Sequence, residues 1–202
     1  MKTKLLFFLT LLSLVSCSNN SSSIKTDPVF QLPPETQVGA NTFGVTIKGK
    51  VYIPRDPTGY TYGPAGRGMR FWASPDTNHS YDELVVVDGA STVGFKITIH
   101  LQNLFVNGAG QYSLKSSNFQ NQGDSVPFNH IFFKIFDYNI SNYAYYGSIE
   151  NLGEINITRY SNDIVSGNFK GKFVRYDNPN EFIEITDGRF DIGPGILTKV
   201  FP

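Results

Sequence analysis

The chain reads as an all-β protein, a single antiparallel β-sandwich or barrel-like domain behind a flexible N-terminal tether. Three observations predict this. Apolar and polar residues alternate at period two, with Phe95, Ile97, Ile99 and Leu101 set against Lys96, Thr98 and His100. Ring and turn residues abound, with 17 Phe, 11 Tyr and 19 Gly, and turn signals recur every ~8–12 residues. No stretch keeps a helical period long enough to make a helix of ordinary length.

The first sixteen residues stand apart from the fold. Lys2 and Lys4 give a basic start, and the apolar run Leu5 to Val15 is shorter than the ~20 residues a spanning helix needs. That is the layout of a secretory signal. Residues 17–41 form the tether: Ser18 to Thr26 is rich in Ser and Asn and has too little apolar surface to collapse. Pro28, Pro33 and Pro34 then direct Asp27 to Asn41 along the domain surface in extended form.

The all-β domain spans 42–202. Ile47-Lys48-Gly49-Lys50-Val51 predicts a hairpin with the glycine at its tip. Met69 to Ala73 and Leu84 to Val87 read as short apolar strands, and Phe95 to Leu101 as a half-buried one with His100 on its solvated side. Ile131 to Phe136 is apolar enough to be buried on both faces. Ile155 and Ile157 alternate with polar neighbours. Phe169 and Phe173 share a face with Gly167 and Gly171, glycines that mark bulges or close approach of a neighbouring strand. Phe182 to Ile185 and Arg189 to Ile192 close the chain.

Leu14-Val15-Ser16-Cys17 resembles the lipobox read by lipoprotein signal peptidase. The resemblance implies lipidation of Cys17, with acyl chains (palmitate among them) on its sulfur and amino group, each buried CH₂ contributing ~0.8 kcal/mol of membrane affinity. Cys17 is the only cysteine, so the domain folds without a disulfide. Residues 32–44 (Leu-Pro-Pro-Glu-Thr-Gln-Val-Gly-Ala-Asn-Thr-Phe-Gly) and 49–54, with Ser166-Gly167-Asn168-Phe169 and residues 185–191 (Ile-Thr-Asp-Gly-Arg-Phe-Asp), resemble uncharacterised lipoproteins of Bacteroidetes-type Gram-negative bacteria. Members often carry a cysteine after the Phe-Gly pair; here Val45 follows, and no redox role transfers. Ser18 after the cysteine resembles outer-membrane sorting. The absence of acidic residues from Ser18 to Ser22 implies the periplasmic face.

Charge excludes further classes. Without Lys2 and Lys4 the balance is 15 basic to 17 acidic residues, with no basic run, which argues against nucleic acid and anionic lipid surfaces as partners. The partners expected are the membrane, through the N-terminal lipid, and a glycan or envelope protein.

The spacing of the chain's reactive residues matches no catalytic or metal constellation. His79, His100 and His130 have no paired spacing, and Asp76 to Glu83 lacks the spaced acids and glycine of a calcium loop. No metal or cofactor is therefore expected. Gly89 to Gly94 misses a nucleophile elbow by one residue, and no helix follows it or the glycine-rich 63–68 stretch. On a straight strand Asp187 and Asp191 lie ~13 Å apart, too far for the ~5–9.5 Å of glycosidase carboxylates. They read, with Arg189, as a solvated stripe behind Phe190 and Ile192.

Two features retain functional weight. The loop Arg55 to Gly68 carries Tyr60, Tyr62 and Arg67 beside Phe71 and Trp72, and aromatic faces beside polar groups suit sugar rings or peptides. Asp124-Ser125-Val126 resembles the acceptor of periplasmic O-glycosylation, at Ser125. With no catalytic set assembled, the expected role is non-enzymatic: binding, or envelope structure. A barrel-like carrier of a lipophilic ligand and, more remotely, a glycan-processing hydrolase are the alternatives.

Overall fold

The computed structural model describes residues 29–59, 66–73, 80–120, 126–161 and 163–202. These form antiparallel strands β1 (Thr42–Ile47), β2 (Lys50–Tyr52), β3 (Met69–Trp72), β4 (Tyr81–Val87), β5 (Lys96–Gln102), β6 (Gly110–Ser113), β7 (His130–Asp137), β8 (Asn142–Ser161), β9 (Ile164–Arg175) and β10 (Asn178–Ile192). One four-residue helix, α1 (Leu104–Asn107), and a 3-10 turn at Ile196–Thr198 complete the elements. The protein is all-β.

The strands follow one path, β2-β1-β10-β9-β8-β7-β5-β4-β3, with β6 beside the far half of β8. Turn chemistry sets the registers. Lys48 and Gly49 take φ of 50° and 77°, the double left-handed turn that matches the twist of a two-residue hairpin, and Ile47 pairs with Lys50 across it. Near the other end of the path, Arg55 forms a parallel bridge with Asp88, and its guanidinium grips that carboxylate at 2.7 and 2.9 Å.

The longest strands bend together. Register shifts fall between Ser148 and Gly153 in β8 and between Ile185 and Gly188 in β10. At the crease Gly153 faces Gly171, and a Cβ on Gly171 would lie 2.9 Å from the Gly153 Cα. The close approach expected at Gly171 is found there. Bending wraps the sheet around one core, in which Phe133 packs against Tyr146 and Phe173 at centroid distances of 5.4 and 5.3 Å. Phe43 stacks on Phe169 at 6.0 Å.

Three burial expectations need correction. His100, expected in solvent, is fully buried, as is Thr98. Residues on either side of 121–125 cover this face: the Val126 carbonyl accepts a 3.0 Å hydrogen bond from His100 Nε2, and Ser117 Oγ meets His130 Nδ1 at 2.9 Å. Ile131 to Phe136, expected buried on both sides, alternates: Ile131, Phe133 and Ile135 face the core, while Phe132, Lys134 and Phe136 are half-buried on the outer face.

The third concerns Asp191, which is 1% exposed and no part of a solvated stripe. It accepts hydrogen bonds from Thr36 Oγ1, the Val38, Gly39 and Ala40 amides and Ser166 Oγ, all between 2.5 and 3.1 Å. Those donors pin residues 36–40 to β10, and the whole stretch from Val29 to Asn41 lies outside regular secondary structure. Burial alone would raise the Asp191 pKa; the bonds from Ala40, Thr36, Ser166 and Gly39 outweigh it and bring the value down to about 2.

Candidate ligand-binding face

The outer face of β5, β7 and β8 gathers rings and cations that period-two geometry turns away from the core. On β7 these are Phe132, Lys134 and Phe136. Directly opposite on β8 stand Gly147, Tyr145 and Tyr143, and opposite on β5 stand Thr98 and Lys96. The rings touch in sequence: Phe136 meets Tyr143 edge-on at 5.6 Å and Tyr138 at 5.1 Å. Lys134 Nζ sits 4.2 Å from the Tyr143 ring centroid, a cation–π distance.

Phe119 extends the aromatic surface. It takes a left-handed φ of 60° and lies over Gly147, where a Cβ would come within 2.6 Å of its ring. Its edge contacts are Tyr176 at 4.9 Å and Phe132 at 6.1 Å. Three of these tyrosines are open to solvent: Tyr138 at 67%, Tyr145 at 45% and Tyr176 at 70%. A depression of about 200 Å³ beside Tyr145 is lined by Lys96, Phe132, Phe133, Lys134 and Tyr145.

Next to the rings runs a buried polar row. Glu83, His100 and His130 are register partners across β4, β5 and β7, and the exposed Trp72 on edge strand β3 begins the same row opposite Glu83. His100 Nδ1 stands 3.7 Å from Glu83 Oε2, and His130 Nδ1 stands 2.9 Å from Ser117 Oγ. Burial first, then the neighbouring His100, pulls the His130 pKa down to about 3, so His130 is neutral at physiological pH. Among the described residues no three His, Cys, Asp or Glu side chains converge on a metal position. Ser117 also accepts the Phe119 amide at 3.1 Å, so the pair holds the overlying segment to the sheet.

The residues expected to bind ligand are scattered. Cys17, Tyr60, Tyr62, His79 and Ser125 lie outside the described residues. Arg67 is bonded to Asp56 at 3.1 Å, which also receives the Gly68 amide at 2.6 Å, so its fork is turned inward to the loop. Trp72 is 57% exposed and offers its ring at the sheet edge. Ser91 Oγ accepts the Val93 amide at 3.3 Å inside its turn, as a loop serine does. A second groove, about 590 Å³, is lined by Gln102, Asn103, Asn107, Gln111 and Asn129 among others; there Asn129 accepts the Gln102 amide at 2.8 Å and donates to the Ser113 carbonyl at 3.4 Å.

No family model, curated protein or solved structure matches this chain. The assignment of the face therefore rests on its own chemistry. A sequence signal for it existed: Phe132-x-Lys134-x-Phe136 and Tyr143-x-Tyr145 are period-two patterns with rings on the side opposite Phe133 and Ala144. Reading Ile131 to Phe136 as buried on both faces concealed it.

Proposed function

We propose that this protein is a lipid-anchored, non-enzymatic binding protein of the bacterial envelope whose ligand surface is the tyrosine-rich face of β7 and β8. The carrying observation is the exposure of Tyr145 on β8, a strand paired along both edges, with Tyr138 and Tyr176 exposed in the turns that flank the same face and packed on Phe136 and Phe119. Contiguous exposed apolar surface on a soluble domain marks an interaction site. Tyrosine supplies a flat apolar body and a hydroxyl at little entropic cost, which suits the faces and hydroxyls of a sugar chain. The interior strand β8 holds Tyr143 and Tyr145, so ordering those two rings costs binding little.

The address follows from the signal and from Cys17. The likeness of residues 32–44 and 185–191 to Bacteroidetes-type lipoproteins supports the outer membrane, and the uncharged Ser18 to Ser22 supports its periplasmic face. Residues 18–28 connect the lipid to the fold, a reach of at most roughly 40 Å at ~3.3–3.6 Å per residue. The domain would therefore work close to the membrane.

The face is tested with Tyr145→Ala combined with Tyr176→Ala, against a panel of envelope and plant-wall oligosaccharides. Affinity for a bound oligosaccharide is expected to fall about tenfold or more, since two stacking rings each supply about 0.5–1.5 kcal/mol. Unchanged affinity in a variant with unchanged thermal stability would refute the assignment.

A further inference from the structure

Lys96 and Lys134 are directly opposite each other across β5 and β7. Like charges so placed have Cβ atoms ~4.5–5.5 Å apart and destabilise the sheet. Some surface lysines of this domain have acids, as where Lys115 reaches Glu150 at 2.6 Å and Lys170 reaches Glu154 at 3.0 Å. Among the described residues Lys96 and Lys134 form no ion pair; Lys134 instead leans on the Tyr143 ring. Burial, then Arg70, lower the Lys96 pKa; Glu83 pulls it up, and Lys134 adds a smaller downward push. The two cations line the 200 Å³ depression together with Phe132 and Tyr145. Two cations set side by side without an ion pair, next to the exposed Tyr145 ring, are placed to take an anion.

We propose that Lys96 and Lys134 form an anion subsite within the aromatic face, selecting an acidic oligosaccharide, with Tyr145 as the stacking platform for the ring that bears the carboxylate. This rests on the reading of that face as the glycan surface. The volume is below the ~300–1,000 Å³ of pockets for drug-sized ligands, so it takes one charged ring while the rest of the chain lies on the tyrosines. An acidic peptide fits less well. β5, β7 and β8 are interior strands and offer no free backbone edge for strand addition.

The test uses the full-length lipoprotein in detergent, titrated with hexagalacturonate, with the same oligomer fully methyl-esterified, and with hexaglutamate. The acidic sugar is expected to bind about tenfold tighter than the ester, with the gap closing as salt is raised. Lys96→Gln with Lys134→Gln is expected to abolish that gap and leave ester binding intact, while Lys134→Arg preserves it. Tyr145→Ala weakens both sugars.

Equal affinity for acid and ester, or a gap that survives the double Gln variant, overturns the subsite and leaves the glycan face standing. Binding of neither sugar overturns both, and binding of hexaglutamate alone assigns the face to acidic peptides instead. Far-UV circular dichroism and melting of each variant separate lost binding from lost fold.

Discussion

At the scale of single residues, two buried titratable groups make stability depend on pH in different windows. His130 is held near 3 in the folded protein, below the ~6.5 of an unfolded histidine. Between those values the unfolded chain takes up a proton that the folded chain refuses. Stability is then full above ~6.5 and falls as the pH drops toward 3, at up to ~1.4 kcal/mol per pH unit. Urea midpoints at pH 7 and 4.5 are expected to converge in His130→Gln relative to the parent; parallel curves would contradict this. Asp191 acts in the same direction but at lower pH, and for the opposite reason: its charged form is held by hydrogen bonds where that of His130 is disfavoured by burial. The Asp191 pKa, about 2 against an unfolded 3.8, stabilises the fold above ~4, and this is lost as pH falls through 2. The contribution at neutral pH is roughly 2 kcal/mol. Asp191→Asn turns an NH2 group toward two or three of the five donors, so a loss of about 2–4 kcal/mol and protease access to residues 29–41 are expected.

At the scale of elements, glycine serves two distinct purposes. Gly171 has an ordinary backbone but no room, because the Gly153 Cα lies 2.9 Å from where its Cβ would be. Gly49 has room, with no atom within 4 Å, but a φ of 77°. Gly171→Ala should therefore cost about 1–3 kcal/mol through overpacking, with the crease between β8 and β9 disturbed. Gly49→Ala should cost about 1–2 kcal/mol through the left-handed backbone, and Gly49→Asn less, because asparagine tolerates that region. Chemical denaturation separates these cases, and an equal penalty for Ala and Asn at position 49 would disprove the turn argument. The hairpin at 47–51 and the alternation at Ile155 and Ile157 were legible because they depend on neighbours in the chain. The burial of β5 on both faces was not, because Val126 reaches His100 from 26 residues away.

At the scale of the whole molecule, the fold and its proposed address meet at the N-terminal segment. Asp191 ties residues 36–40 to β10, so the chain leaves the domain from a fixed point. Cys17→Ser is expected to leave the precursor unprocessed or free it from the membrane fraction, with the same melting temperature as the lipidated protein. Retention with unchanged acylation would refute the anchor. The sheet path places β2 and β3 at its two ends, and the Arg55–Asp88 bridge ties the chain beyond β2 to the end of β4. The interior strands that carry the aromatic face thus lie far from either edge.

The sequence by itself determined the all-β class, most strand positions, the glycine approach and the single cysteine, since these follow from period, turn chemistry and composition. Only the tertiary structure decided which side of each strand meets solvent. An outer face becomes buried when a distant segment covers it, as at His100, and stays half-open where the cover ends, as at Lys134 and Phe136. Likewise Asp191 looked solvated until residues 36–40 brought their amides to it. The pairing of Lys96 with Lys134 belongs to the same class: 38 residues separate them, and only the register of β5 on β7 sets the two charges side by side.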